Sequence, residues 1–204
     1  IVIIILGLLI ASITVGRDLI RASKIRNLVT QLSSYSTAMN TFEMKYSAMP
    51  GDISNPSRRG LGSHAGDGDG LIEDSDGGDP DLADNELVYF WEHLNEAGFI
   101  NGSYDGDSDN GALGETFPEV KIGGGITIYG LESTQNNYFH IGIQDSQDGE
   151  QVFANVFVPE DAFSLDNKFD DGFPLRGIVI ARTVECTSGP TEFSCANDPI
   201  TTTN

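Results

Sequence analysis

Two acidic runs of the chain contain carboxylates at the spacing of a metal-binding loop. The first, residues 67–76, reads DGDGLIEDSD, and its alternating Asp and Gly residues let carboxylates converge on one ion. Gly70 permits a sharp turn and Ile72 can anchor the loop to a core, which is the logic of a D-x-D-G-x-I calcium loop. Ala65 stands two positions before Asp67, so the first ligand of an EF-hand-like pattern is absent. We predict a structural Ca²⁺ site, with a solvated acidic loop as the alternative. The candidate ligands are Asp67, Asp69, Asp74 and Asp76.

The second run, residues 105–111, reads DGDSDNG and completes a D-x-D-x-D core. It has no apolar anchor, and Thr116 occupies the twelfth position, where a calcium loop places an acidic residue. Both runs lead to one hypothesis, that Ca²⁺ offsets the mutual repulsion of the carboxylates and orders the loops. The candidate ligands here are Asp105, Asp107 and Asp109, again with a solvated loop as the alternative.

The chain carries no residue pattern typical of an enzyme. It has no G-x-S-x-G, H-E-x-x-H, P-loop or dinucleotide-binding glycine pattern. The histidines are scattered: His64 lies in a loop, His140 alternates within a predicted strand, and His93 falls off the apolar stripe of its predicted helix. We therefore expect His93 to be exposed. The paired aspartates at 170–171 lack a partner nucleophile and are interpreted as turn formers, so we predict that the protein is not an enzyme.

The only cysteines are Cys186 and Cys195, near the carboxyl end. Their short separation suits a disulfide that closes the intervening loop, worth roughly 2.5–3 kcal/mol on the chain-entropy model. There is no C-x-x-C and no histidine nearby, so a metal or redox role is weakly supported. A disulfide would imply an oxidising compartment, and free buried thiols are the alternative.

The first predicted element of the chain is a long amino-terminal helix. Residues 1–13 form an almost unbroken apolar run, which covers only ~20 Å as a helix against the ~30 Å hydrocarbon core of a bilayer. Beyond Gly16 an apolar stripe recurs at steps of four and three residues, with no proline before Pro50. We predict one helix of roughly 70 Å whose stripe packs on the rest of the chain. The stripe consists of Leu28, Leu32, Tyr35, Met39, Phe42 and Tyr46.

The rest of the chain, residues 48–204, is long enough for one globular head with its own core, attached to the helix at 1–47. An apolar stripe predicts a short helix that begins near Asp84 and is ended by Gly98, with Trp91 in the core.

The second half of the head has the composition of strands. β-branched and aromatic runs separated by turn residues predict an antiparallel meander. A helix started by Pro159 and running to Leu165 is expected between the last two strands. The sheet is expected to pack on the rear half of the long helix, which gives a ladle-shaped α+β fold. The predicted strands are 120–132, 138–144, 151–158 and 176–184.

Charge is divided unevenly along the chain. Residues 1–60 contain seven Lys and Arg against three Asp and Glu, whereas the remainder contains four against twenty-eight. The acidic head would repel a polyanion, which disfavours a nucleic-acid partner. The basic residues after the apolar run fit anionic lipid headgroups or, equally, a solvated helix face. They are Arg17, Arg21, Lys24 and Arg26.

Several segments together resemble type IV pilins and pseudopilins. They are the apolar start with Gly7, RDLIRA at 17–22, the striped continuation, and MPGD at 49–52. YFWEHLNEAGFI at 89–100 and LDNKFDDG at 165–172 are similar to segments of a bacterial prepilin subgroup. Mature chains of the family begin with a Phe-x-x-x-Glu segment before a glycine-containing apolar helix. Aligning Gly7 with that glycine implies about seven further residues, which would bring the apolar run to about 20.

The resemblance implies a structural subunit, a major pilin, of an extracellular type IV pilus-like filament. Such a subunit is held in the inner membrane before assembly, meets the pilus assembly machinery, and forms a homopolymer at the bacterial cell surface. A carboxyl-terminal disulfide loop also fits that family. The implied filament-core residues are Ile1, Ile3, Ile4, Ile5, Leu6, Leu8, Leu9, Ile10 and Ile13.

Four alternatives to a major pilin remain open at this point. A pseudopilin of a type II secretion-type apparatus or a minor pilin would have the same fold and a different role. A membrane-anchored, calcium-dependent binding module would use the helix only as a tether, and a processing segment would be removed. The long striped continuation favours a filament subunit, because a tether or a processing segment needs no such packing face.

Overall fold

The computed structural model describes residues 2–72, 86–106, 113–131, 135–147, 150–154, 156–157, 159–169 and 179. A long amino-terminal helix is followed by shorter helices and an antiparallel sheet, so the predicted α+β class is confirmed. The predicted strand at 176–184 lies outside the described residues except for Val179. The elements are α1 (Val2–Tyr46), a 3-10 turn (Pro56–Arg59), α2 (Glu86–Glu96), β1 (Gly125–Leu131), β2 (Asn136–Gln147), β3 (Glu150–Ala154) and α3 (Pro159–Phe169).

α1 is one continuous helix of 45 residues, about 70 Å long. It ends at Ser47, which has a left-handed φ of 55° and donates its N–H to the Glu43 carbonyl at 2.7 Å. The guanidinium of Arg59 donates to the Tyr46 carbonyl at 2.6 Å and so satisfies one of the last carbonyls of the helix. Within the part of the chain that is described, no helix has the length and apolarity needed to cross a membrane.

The stripe on α1 faces the head, as predicted. Leu28, Tyr35 and Phe42 are buried, while Leu32, Met39 and Tyr46 are partly buried against the same core. The first buried residue among the described side chains of α1 is Ile25, so the helix joins the head in its second half. The side chains predicted for the filament core lie outside the described part of the structure. They are Ile1, Ile3, Ile4, Ile5, Leu6, Leu8, Leu9, Ile10 and Ile13.

Helix α2 lies between α1 and the sheet, which corrects the predicted packing of the sheet directly on α1. The ring of Trp91 on α2 meets Tyr35 on α1 at 5.0 Å, and it also contacts Phe139 on β2 at 6.4 Å. Trp91 is fully buried, as predicted. α2 can occupy the middle position because eight of its eleven residues are buried, Glu86, Glu92 and His93 among them.

The sheet has the order β1-β2-β3 with both pairs antiparallel, which confirms the predicted meander for its first three strands. The boundaries differ. β1 begins at Gly125 because Val120 and Gly124 close a turn through a 2.9 Å hydrogen bond. β2 continues to Gln147 through residues expected to form a turn, and β3 ends at Ala154.

α3 begins at Pro159, as predicted, and continues beyond the expected end at Leu165 to Phe169. Leu165 is buried and Phe163 is exposed. The Arg21 Nε atom on α1 lies 2.6 Å from the Asp161 Oδ1 atom on α3. This ion pair ties α3 to α1 just before α1 enters the core.

Candidate functional site

Three carboxylates converge in the segment between α1 and α2. One oxygen each from Asp52, Asp67 and Asp69 lie within 4.8 Å of one another. Asp67 and Asp69 are exposed, whereas Asp52 is only 4% exposed. Carboxylate oxygens are the ligands that hard divalent cations prefer. The triad could therefore hold a metal ion.

The Asp52 carboxylate organises the backbone around the triad. Its Oδ1 accepts the N–H of Gly68, and its Oδ2 accepts the N–H of Gly70 at 2.7 Å. Both glycines have positive φ, near 90° and 98°, a conformation that a side chain would strain. Each carboxylate oxygen that accepts an amide has a second lone pair, so these bonds and a bound cation are compatible.

The two exposed carboxylates are fixed by the chain that follows them. Asp67 Oδ1 accepts the Asp69 N–H at 3.0 Å, and Asp69 Oδ1 accepts the Leu71 N–H at 2.8 Å. These local turns aim both side chains back over the loop. Ile72 follows with its side chain fully buried, which confirms its predicted role as the anchor.

The loop is also attached to the sheet and to α2. Asn137 on β2 accepts the Ile72 N–H at 2.8 Å and donates to the Gly70 carbonyl at 3.0 Å. Glu86, at the start of α2, accepts the Asp67 N–H at 2.9 Å. The triad is therefore carried by rigid elements on both sides.

Electrostatics at Asp52 favour a cation. Burial raises the pKa of the Asp52 carboxyl, the amides of Gly70 and Gly68 lower it, and the negative charges of Asp67 and Asp69 raise it. A positive ion between the three groups would remove the repulsion and stabilise the ionised form.

The predicted ligands have different outcomes. Asp67 and Asp69 are brought together, and the third member, Asp52, was not predicted. The signal for it is its place directly after the turn sequence Pro50-Gly51, where an aspartate can hold a neighbouring loop. Asp105 is exposed and is not part of the triad. The remaining candidates, Asp74, Asp76, Asp107 and Asp109, and the cysteines Cys186 and Cys195, lie outside the described residues.

The expectation that His93 is exposed is wrong, because its side chain is 0% exposed. Its Nδ1 atom accepts the N–H of Gly51 at 2.8 Å, and its Nε2 atom lies 2.9 Å from the His64 carbonyl, to which it donates. This pattern requires a neutral ring. Desolvation lowers the pKa of His93 to about 4. The loop at 51–66 covers the side of α2 that the apolar stripe predicted to face solvent, and this buries His93.

His64 and Glu92 form a second polar pair next to His93. The His64 Nδ1 atom lies 2.8 Å from Glu92 Oε2, and the His64 ring stacks on Tyr89 at 4.9 Å. Burial is the largest cause of the raised pKa of Glu92, and His64 opposes it. The pair ties the loop at 51–66 to α2.

A different surface lies on α1 before it joins the head. Leu19 is 67% exposed and Ile20 is 61% exposed, and Val15 is also exposed. We call these three residues the arm patch.

The second half of α1 has a shallow groove, with small side chains that let another helix approach closely. The groove is lined by Thr30, Ser33, Ser34, Thr37, Ala38, Thr41 and Phe99.

Comparison of the chain with known protein families, with curated proteins and with solved structures gives no match.

Proposed function

We propose that this chain is a structural subunit of a type IV pilus-like filament that polymerises through α1. The observation that carries the proposal is the difference in burial between the two halves of one unbroken helix. Its second half is buried in the head by the stripe that includes Leu28 and Phe42, while the arm patch before it is exposed. A head that needed α1 only for its own core would have no use for large apolar side chains beyond the core.

Assembly would cover the arm patch. Burying a Leu, Ile or Val side chain contributes about 1.5–3 kcal/mol, so several such residues per subunit supply a gross driving force before the cost of association. The groove in the second half of α1 suits a second helix, because its Ser, Thr and Ala side chains are short. In this proposal the helices bundle in the fibre core and the acidic heads cover its surface.

For the metal site we propose Ca²⁺ as the ion. All three side chains of the triad offer carboxylate oxygens, and the backbone around Gly68 and Gly70 brings them to one point. Ca²⁺ accepts irregular oxygen geometry more readily than Mg²⁺ does. The ion would have a structural role, ordering the loop on the head's surface.

The test is to examine fibres sheared from the cells that produce the protein by electron microscopy, with peptide mapping of the fibres. The wild-type chain is compared with Leu19→Asp and Ile20→Asp in the arm patch. Met44→Asp is the matched control, because Met44 is on the same helix and is 79% exposed. We expect fibres made mainly of this chain from the wild type and the control, and chain retained in the envelope for the arm variants.

Two results would contradict the proposal. Fibres that lack the chain in wild-type cells would favour a pseudopilin or minor pilin. Fibres that still contain the arm variants at wild-type amounts would exclude the arm patch from the assembly surface.

A further inference from the structure

His93 connects the two ends of one loop. The loop leaves the head at Gly51 and returns at Gly66, and we call residues 51–66 the Ω-loop. The Nδ1 atom of His93 accepts from Gly51 at the first end, and its Nε2 atom donates to the carbonyl of His64 near the second. One imidazole therefore spans the neck of the Ω-loop.

The neck is tightly closed around this ring. Gly66 donates its N–H to the Ile53 carbonyl at 3.1 Å. A Cβ atom added to Gly66 would lie 2.5 Å from the Gly51 carbonyl oxygen, and one added to Gly51 would lie 2.7 Å from the Glu86 carbonyl oxygen. The two ends and the α2 backbone thus touch without room for side chains, and His93 is the side chain that bonds to both ends.

We propose that His93 is a proton-operated latch: its neutral imidazole holds the ends of the Ω-loop together, and protonation at Nδ1 releases the Gly51 end. This inference goes beyond the proposed filament role and does not depend on it. A proton on Nδ1 removes the acceptor for the Gly51 N–H and turns the contact into two opposed donors. It also places a positive charge at a site with no solvent exposure.

The surroundings of His93 do not compensate for that charge. α1 faces it with the Phe42 ring, stacked at 6.4 Å. Glu92 on α2 directs its carboxylate to the imidazole of His64, and a charged His64 would repel a charged His93. Asp52 and Glu86 direct oxygens to the amides of the acidic loop. The titratable groups on the surrounding elements are Lys45, Tyr46, Asp52, His64, Glu86 and Glu92.

Opening of the latch would free more than the Ω-loop. Asp52 follows Gly51 directly, and it holds the amides of Gly68 and Gly70. Release of Gly51 would therefore weaken the attachment of residues 67–70 through Asp52, while the bonds to Glu86 and Asn137 remain. Mild acid would change one face of the head while the sheet remains folded.

The test is amide hydrogen exchange on the full-length chain in detergent micelles between pH 7.5 and 4.5, corrected for intrinsic exchange rates. Since the pKa of His93 is lowered from 6.5 to about 4, the opening constant of the Ω-loop neck should rise on the order of a hundredfold across this range. Amides of β1 report global unfolding, and at every pH they should stay more strongly protected than the amides of the neck.

His93→Gln provides the conservative variant. A Gln side chain can accept from Gly51 and donate to His64, but it cannot take up a proton. In this variant the acid-induced opening should fall to less than about threefold. His140→Gln is the control, since His140 is an exposed histidine on β2 and is not part of the latch, and it should keep the wild-type response.

The same acid response in wild type and His93→Gln would overturn the proposal, as would equal opening free energies for the neck and for β1 at pH 4.5, because the neck would then open only by global unfolding. If His93→Gln does not fold, ¹⁵N NMR of the imidazoles in the wild-type chain decides the question. We expect His93 to be the neutral Nε2–H tautomer at pH 7 and to titrate below pH 5 together with the Gly51 amide. A midpoint near 6.5 would contradict the latch.

Discussion

Tyr35 on α1 and Trp91 on α2 meet edge to face, with ring centroids 5.0 Å apart and ring planes at 70°. The Tyr35 hydroxyl accepts from Gln31 at 3.0 Å and is hydrogen-bonded to Tyr104, whose pKa burial raises to about 12. This contact joins the long helix to the middle layer of the head. The coupling energy between the two rings can be measured.

A double-mutant cycle with Tyr35→Ala and Trp91→Ala should give a coupling energy of about 0.5–1.5 kcal/mol, because edge-to-face pairs contribute that much beyond buried area. Trp91→Ala alone should lower the free energy of unfolding by about 3–5 kcal/mol. The measurement is denaturant unfolding of the full-length chain in micelles. Met44→Ala, at a position 79% exposed on α1, should change it by less than about 0.5 kcal/mol. A coupling near zero would mean that the two rings stabilise the chain independently.

Removal of calcium should lower the melting temperature of the head. A ligand present at a hundred times its dissociation constant stabilises the folded state by about 2.7 kcal/mol. We expect the increase on adding Ca²⁺ to disappear in Asp52→Asn and Asp67→Asn. Asp18→Asn, an exposed aspartate on α1, is the control and should keep it. An unchanged melting temperature of the wild type with chelator would exclude structural calcium.

Stability should fall as the pH falls from about 6.5 to 4 because of His93. Its pKa is 6.5 in the unfolded chain and about 4 in the folded head, so the unfolded state binds more protons in this window. The loss should approach about 3 kcal/mol below pH 4. Denaturant unfolding at successive pH values measures it.

Glu92 acts in the opposite direction. Its pKa is raised by burial, so the folded state holds that proton more tightly and gains stability as the pH falls through the raised pKa. In His93→Gln the acid-side loss should therefore flatten or reverse. An unaltered slope would mean that other groups dominate.

Gly66→Ala should destabilise the head by about 1–3 kcal/mol, since overpacking of a closed site costs that much. The new Cβ atom would meet the Gly51 carbonyl oxygen at 2.5 Å, and backbone cannot move aside as a side chain could. Gly16→Ala is the contrasting change, because nothing lies within 4 Å of its Cβ position in the helix. It should stabilise α1 by about 0.5–1 kcal/mol. Equal effects of the two changes on thermal unfolding would contradict the closed neck.

The parts of the fold that follow a repeating pattern could be predicted from the sequence. The stripe from Leu28 to Tyr46 repeats over several turns of helix, and the core of α2 around Trp91 has the same kind of spacing. Both are found as expected, because periodicity reports which side of an element is buried. The layer order could not be obtained in this way, since a stripe does not reveal whether a helix or a sheet covers it.

The candidate site was predictable only in part, for a physical reason. Asp67 and Asp69 are neighbours in sequence, so their spacing alone indicates convergence. Asp52 reaches them through the closure of the Ω-loop, and His93 is buried by that same loop. A loop stabilised by backbone amides and single side chains has no periodic pattern, so its course cannot be inferred from residue spacing.

Gly51 and Gly66 lie next to each other at the neck, so the Ω-loop leaves and re-enters the head at the same place. Its entry and exit lie at one point on the head, so a change of length at its exposed tip would leave the path from α1 to α2 unaltered. Each doubling of a flexible loop costs only about 0.6 kcal/mol in closure entropy. Between Ser54 and Asn55, which are exposed and precede the 3-10 turn, the chain should therefore accept an epitope or a fluorescent reporter, while Arg59 keeps its bond to the end of α1. Related chains should therefore tolerate differences in length most readily at this position.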